Sequence, residues 1–95
     1  MRIIDMNGKE YPENLEWGQE KYWRDRLIEI WSNHGVKGIA PTNEMESVHV
    51  GNASYPLNEI ILKDGRKFYD ELNSPSWAYE ENQKMLNSSS NIWRI

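Results

Sequence analysis

Trp23, Leu27, Ile30 and Trp31 recur at i, i+4, i+7 and i+8, the apolar stripe of a helix laid against a core. Whatever fold this chain adopts must bury that stripe. Lys21, Asp25 and Glu29 stand four apart on the opposite side and are expected to face water. Glu20 and Arg24 have the favourable i, i+4 order for an exposed ion pair, worth a few tenths of a kcal/mol at most. His34 in the last turn suits the negative end of the helix dipole. Gly35 can take the left-handed position just past the helix end. The start is less well marked. Asn14 could cap it, but Gly18 interrupts the first turn at a cost of about 1 kcal/mol relative to Ala. The spacing predicts a helix over about 17–34.

Around that helix the patterning is that of strands. Asn7-Gly8 separates residues 2–6 from 9–11 and suits a type I′ hairpin turn, in which both central residues need positive φ. Pro12 then ends the second arm, because it cannot donate to a ladder. After Gly35, Val36-Lys37-Gly38-Ile39 reads as a short strand. Glu46, Val48 and Val50 then alternate with Met45, Ser47 and His49, as in a half-buried strand. Asp64-Gly65 divides Ile60–Lys63 from Arg66–Tyr69 and marks a second hairpin. Ser74 and Pro75 fit the N-cap and first position of a helix over about 75–86, carrying Trp77, Ala78, Met85 and Leu86. Residues 87–91 form a polar linker to an apolar end, Ile92-Trp93-Arg94-Ile95. This order predicts an α+β fold. Its small antiparallel sheet has two hairpins and a terminal strand, packed by the 17–34 helix, with the short 75–86 helix beside it. The pattern gives no sign of βαβ crossovers.

A chain of 95 residues fits one domain, since domains run from roughly 50 to 250 residues. It buries only about two-thirds of the surface its unfolded form exposes. With no cysteine, neither disulfides nor thiolate metal sites can supplement the core. The longest apolar runs are three residues, far short of a signal peptide or a membrane helix. The expectation is therefore a cytoplasmic protein without membrane contact. Ten Asn and nine Ile against three Ala suggest AT-rich coding, which would suit an accessory protein of a phage or mobile element.

Catalytic and cofactor signatures are missing from the sequence. His34 and His49 have no metal-ligand spacing between them. No G-x-S-x-G marks a nucleophile. Gly35-Val36-Lys37-Gly38 follows a helix, whereas a phosphate cradle precedes one. No cofactor, metal or catalytic residue is expected. The nearest approach to acid–base chemistry is Glu44 and Glu46 on one strand, with His49 close by. A net charge of −4 argues against a phosphate-backbone binder. The basic hairpin tip of Lys63, Arg66 and Lys67, beside Phe68, Tyr69 and Tyr55, is the one place where single-stranded bases could stack. Lysines at such a tip also guard a sheet edge against aggregation.

The aromatic content points elsewhere. Five Trp and five Tyr are more aromatic area than a domain of this size normally carries, to be divided between filling the core and serving as partner-facing anchors. Trp23 and Trp31 belong to the helix stripe, leaving Trp17, Trp77 and Trp93 as candidate surface rings. Trp and Tyr dominate protein–protein hot spots. The leading expectation is a non-catalytic, acidic protein-binding module, an inhibitor or adaptor, docking through Trp17, Trp77, Trp93 and Ile95. The terminal segment could add to a partner's sheet edge, including that of a second copy. A carbohydrate or small-ligand binder is the first alternative, and a small carboxylate hydrolase the second.

Overall fold

The computed structural model describes residues 2–11, 19–36 and 44–87. They form β1 (Arg2–Asp5), β2 (Glu10–Tyr11), α1 (Gln19–Asn33), β3 (Met45–Val50), β4 (Glu59–Leu62), β5 (Lys67–Tyr69) and α2 (Ser76–Asn87). This is an α+β fold, one sheet of five strands with two helices, in the order β2-β1-β3-β4-β5. Both hairpin tips use glycine where the chain turns left-handed, with φ of 84° at Gly8 and 91° at Gly65.

The sheet is mixed rather than antiparallel. β1 pairs with β3 in parallel, Ile3 opposite Val48, while the other three pairings are antiparallel. The period-two pattern of each strand was legible, but such a pattern carries no direction. Between β1 and β3 the chain runs through β2 and α1, and a connection of that length can return a strand parallel to the first. The expected strand at 36–39 is not seen at Val36, which is buried outside any strand; residues 37–39 lie outside the described residues. So do 92–95, on which the terminal strand was expected.

One row of side chains crosses the whole sheet on its inner face: Tyr11, Ile3, Val48, Ile60 and Phe68. Tyr11 at the β2 edge is exposed, and the other four members of the row join Trp23, Leu27, Ile30 and Trp31 of α1 in one buried cluster. Trp31 meets Phe68 with ring centroids 4.7 Å apart. Burying each such side chain stabilises the fold by roughly 1.5–3 kcal/mol. A register shift between Met45 and Ser47 makes Glu46 the extra residue of a bulge. The expected alternation therefore breaks at its first member. Met45 and Val48 are buried, while Glu46 faces solvent instead of sharing the side of Val48.

α2 lies along β5 and closes that edge. Asn82, fully buried, accepts the Tyr69 N–H at Oδ1 and donates from Nδ2 to the Tyr69 carbonyl, both at 2.8 Å. Its amide thus makes the two bonds a further strand would have made, and an exposed ladder is avoided. The start of α2 differs from expectation. The Ser74 hydroxyl turns back to the carbonyls of Asp70 and Leu72 and caps the preceding loop instead of the helix. Asn73 there adopts φ of 58°, a conformation that asparagine tolerates better than most residues.

Candidate functional site

Strand neighbours share a face, so the registers also define the side of the sheet opposite α1. Two rows cross it: Glu10, Ile4, His49, Glu59 and Tyr69, and beside them Arg2, Ser47, Ile61 and Lys67. Toward β2 the rows are polar. Arg2 grips Glu10 through two bonds of 3.1 Å, and the Arg2 hydrogen bond holds the Glu10 carboxyl below its ordinary range. Toward β5 they become aromatic. Tyr69 meets Trp77 of α2 edge to face, with centroids 5.2 Å apart and planes at 79°. The Lys67 amine sits over the Tyr69 ring at 5.4 Å and 3.7 Å from Glu59. Tyr55 donates its hydroxyl to the same carboxylate at 3.2 Å.

The loop between β3 and β4 sets the Tyr55 ring. Gly51 packs so closely on the following turn that a Cβ there would lie 2.5 Å from the Leu57 nitrogen and the Tyr55 carbonyl. Asn52 then accepts the N–H groups of Ser54 and Tyr55, which fixes the backbone from which Tyr55 reaches Glu59. Burial, followed by the Glu59 charge, pushes the Tyr55 hydroxyl up. Burial alone would lower Lys67, but Glu59 and the Tyr69 ring hydroxyl outweigh it, and its amine lies above the usual lysine value. Glu59 is thus engaged on two sides, by a cation and a phenol.

Of the rings expected at the surface, Trp77 is exposed, at 41 %; Trp17, Trp93 and Ile95 lie outside the described residues. The hairpin tip is not a continuous basic patch. Lys63 is exposed, Arg66 stands 3.5 Å from Asp64, and Lys67 turns onto the sheet face toward Glu59. Hairpin geometry is the reason, since Asp64 is part of the tip and Lys67 points to the side set by its strand register. Glu44 and Glu46 are exposed, and His49 stands across from Glu59 on the opposite-face row. Glu44 lies just before β3 and Glu46 belongs to the bulge, so the two carboxylates do not share a strand face. Among the described residues no three His, Asp or Glu side chains gather as a metal site.

Sequence reasoning missed a second polar assembly, between α1, the loop after β5 and α2. His34 was expected to serve the helix end through its charge. Its buried ring instead bridges to Gln83 from Nδ1 at 2.7 Å and to Glu71 from Nε2 at 2.5 Å. Tyr79 stacks on it at 4.0 Å. Glu71 also accepts from Asn82 and Asn33. Nearby, Arg26 binds Asp70 in the interior and reaches Glu29 at the surface. Burial is the largest single influence and works against the Arg26 charge, but the hydrogen bonds and charges of Asp70 and Glu29 together outweigh it, so the guanidinium pKa is raised. No local pattern in the sequence marks this cluster, because its members come from three separate segments. These contacts fix α2, and with it Trp77, against the rest of the fold.

The chain matches no family model, no curated protein and no solved structure. No described helix is long and apolar enough to cross a membrane.

Proposed function

We propose that this chain is a non-catalytic protein-binding module whose docking surface centres on Trp77. The observation that carries the reading is an indole 41 % exposed that is nevertheless held in place. Its Tyr69 contact and the Asn82 bonds to β5 restrain it before any partner arrives. An anchor ordered in the free protein loses little freedom on binding. Tryptophan is also the residue type whose removal most often costs an interface 2 kcal/mol or more, a rough threshold for a hot spot. The surrounding charged groups support binding over catalysis, because Glu59, Lys67 and Tyr55 already engage one another.

Quantitative affinity capture with the whole chain and its Trp77→Ala variant tests this reading. A partner retained by the first and lost by the second, with unchanged circular dichroism, supports it. Identical capture profiles, or turnover found in a hydrolase substrate screen, would overturn it. Oligosaccharide binding is the second reading, favoured by an exposed ring next to the Lys67–Glu59 pair. It predicts a saturable change in tryptophan fluorescence on titration with oligosaccharides.

A further inference from the structure

The exposed indole has a carboxylate one helical turn away. Glu80 follows Trp77 by three residues on α2, and side chains at that spacing are neighbours on a helix surface. Both are exposed. Glu81, the next carboxylate, is paired with Lys84 at 3.2 Å, whereas Glu80 has no cation partner among the described residues. The contact with Tyr69 is edge to face and the ring remains 41 % exposed, so part of the indole is accessible to a second group. An accessible indole beside a carboxylate that has no cation partner among the described residues suits one group above others. A guanidinium is planar, stacks on aromatic rings, and forks two N–H donors onto a carboxylate. An ammonium is a compact, strongly hydrated point charge and gains less from a flat ring.

Resting on the protein-binding reading above, we propose that Trp77 and Glu80 form a receptor for an arginine side chain of a basic protein partner. Charge complementarity favours that occupant, since the chain carries a net charge of −4. The amino-terminal end of α2 opposes it with about half a positive charge, which the full charge of Glu80 outweighs. The aromatic platform needs no rearrangement, because Asn82 already pins α2 to β5.

The test is an NMR titration of the whole chain with hexa-arginine, hexa-lysine and hexa-citrulline peptides. The readout is the indole N–H resonance that Trp77→Phe removes. Hexa-arginine should shift it saturably, hexa-lysine should bind about tenfold more weakly, and the neutral citrulline peptide should leave it unmoved. Glu80→Gln should weaken hexa-arginine about tenfold, while Glu46→Gln, which removes the same charge from the β3 bulge away from α2, should change it far less. Equal affinity for arginine and lysine, or equal effects of the two Gln variants, would reduce the binding to general attraction and overturn the proposal. A shift of the same resonance on Arg94→Gln without peptide would assign the arginine to this chain, and would overturn it as well. Should hexa-arginine fail while Trp77→Ala still loses a captured protein, the arginine receptor falls and the binding module stands. Should both fail, both readings fall.

Discussion

Asp70, just past the end of β5, receives the Nε of Arg26 from α1 at 3.1 Å, and the two side chains are only 4 % and 9 % exposed. Asp70 also accepts the Leu72 N–H, so one carboxylate joins α1 to the loop that starts α2. Removing one partner of a buried pair strands the other charge, at about 3–5 kcal/mol. Asp70→Ala is therefore expected to lower the unfolding free energy by that amount in urea titration. The double variant Arg26→Met with Asp70→Leu should recover most of the loss, because a well-packed apolar pair often replaces a buried ion pair without penalty. Equal losses in the single and double variants would show that the charge was not the cause.

Asn82 makes a sharper demand on chemistry than on shape. Asn82→Leu keeps roughly the same volume but leaves the Tyr69 N–H and carbonyl unpaired beside a helix. A loss of about 2–3 kcal/mol is expected, together with faster hydrogen exchange at the Tyr69 amide. Protection of that amide at the native level would show that it has another acceptor.

Gly51 is a steric requirement. An added Cβ meets backbone atoms of the 55–57 turn rather than a movable side chain. Gly51→Ala should destabilise by about 1–3 kcal/mol and weaken the Tyr55–Glu59 hydrogen bond. The Tyr55 hydroxyl would then titrate closer to its ordinary value, which ultraviolet titration reads. A native midpoint for both unfolding and Tyr55 would contradict the packing described.

The first hairpin carries a pH signature. The Asp5 carboxylate accepts the N–H groups of Lys9 and Asn7 at 2.9 Å and the Tyr11 hydroxyl at 3.2 Å. Its pKa is lowered, with the Lys9 backbone hydrogen bond the largest cause. A depressed carboxyl stabilises the fold above its unfolded value, near 3.8, and that contribution is lost as pH falls through the folded value. Carboxyl-detected NMR should find Asp5 titrating below the ordinary aspartate value of 3.8. Asp5→Asn should remove that contribution, leaving the variant less stable than the native chain near neutrality, with the difference vanishing as pH falls below the folded value.

What could be read in the sequence was local. Gly8 and Gly65 take positive φ because the turn demands it at that place, and the 23–31 stripe is buried because its period is fixed by the helix. Partnerships at a distance were not legible. Arg26 sits in an ordinary charged run between Asp25 and Leu27, and only Asp70, 44 positions later, draws it inside. His34 looked like a helix end until Glu71, Gln83 and Tyr79 came around it. At the candidate site Trp77 is one of three rings that the sequence offers as surface candidates, and it is exposed. Its contact with Tyr69 and the place of Glu59 beside that ring were not legible, because which side of β5 and β4 they occupy depends on register, and one bulge at Glu46 resets it within β3.

The parallel seam between β1 and β3 bears on how this chain is made. On the ribosome Ile3 emerges long before Val48 exists to receive it, and closing so long a loop is slow. The first hairpin must meanwhile rely on its own bonds, those of Asp5 with Lys9 and Tyr11, while β3, β4 and β5 can assemble from near neighbours. The seam between β1 and β3 can thus close only once β3 has been made.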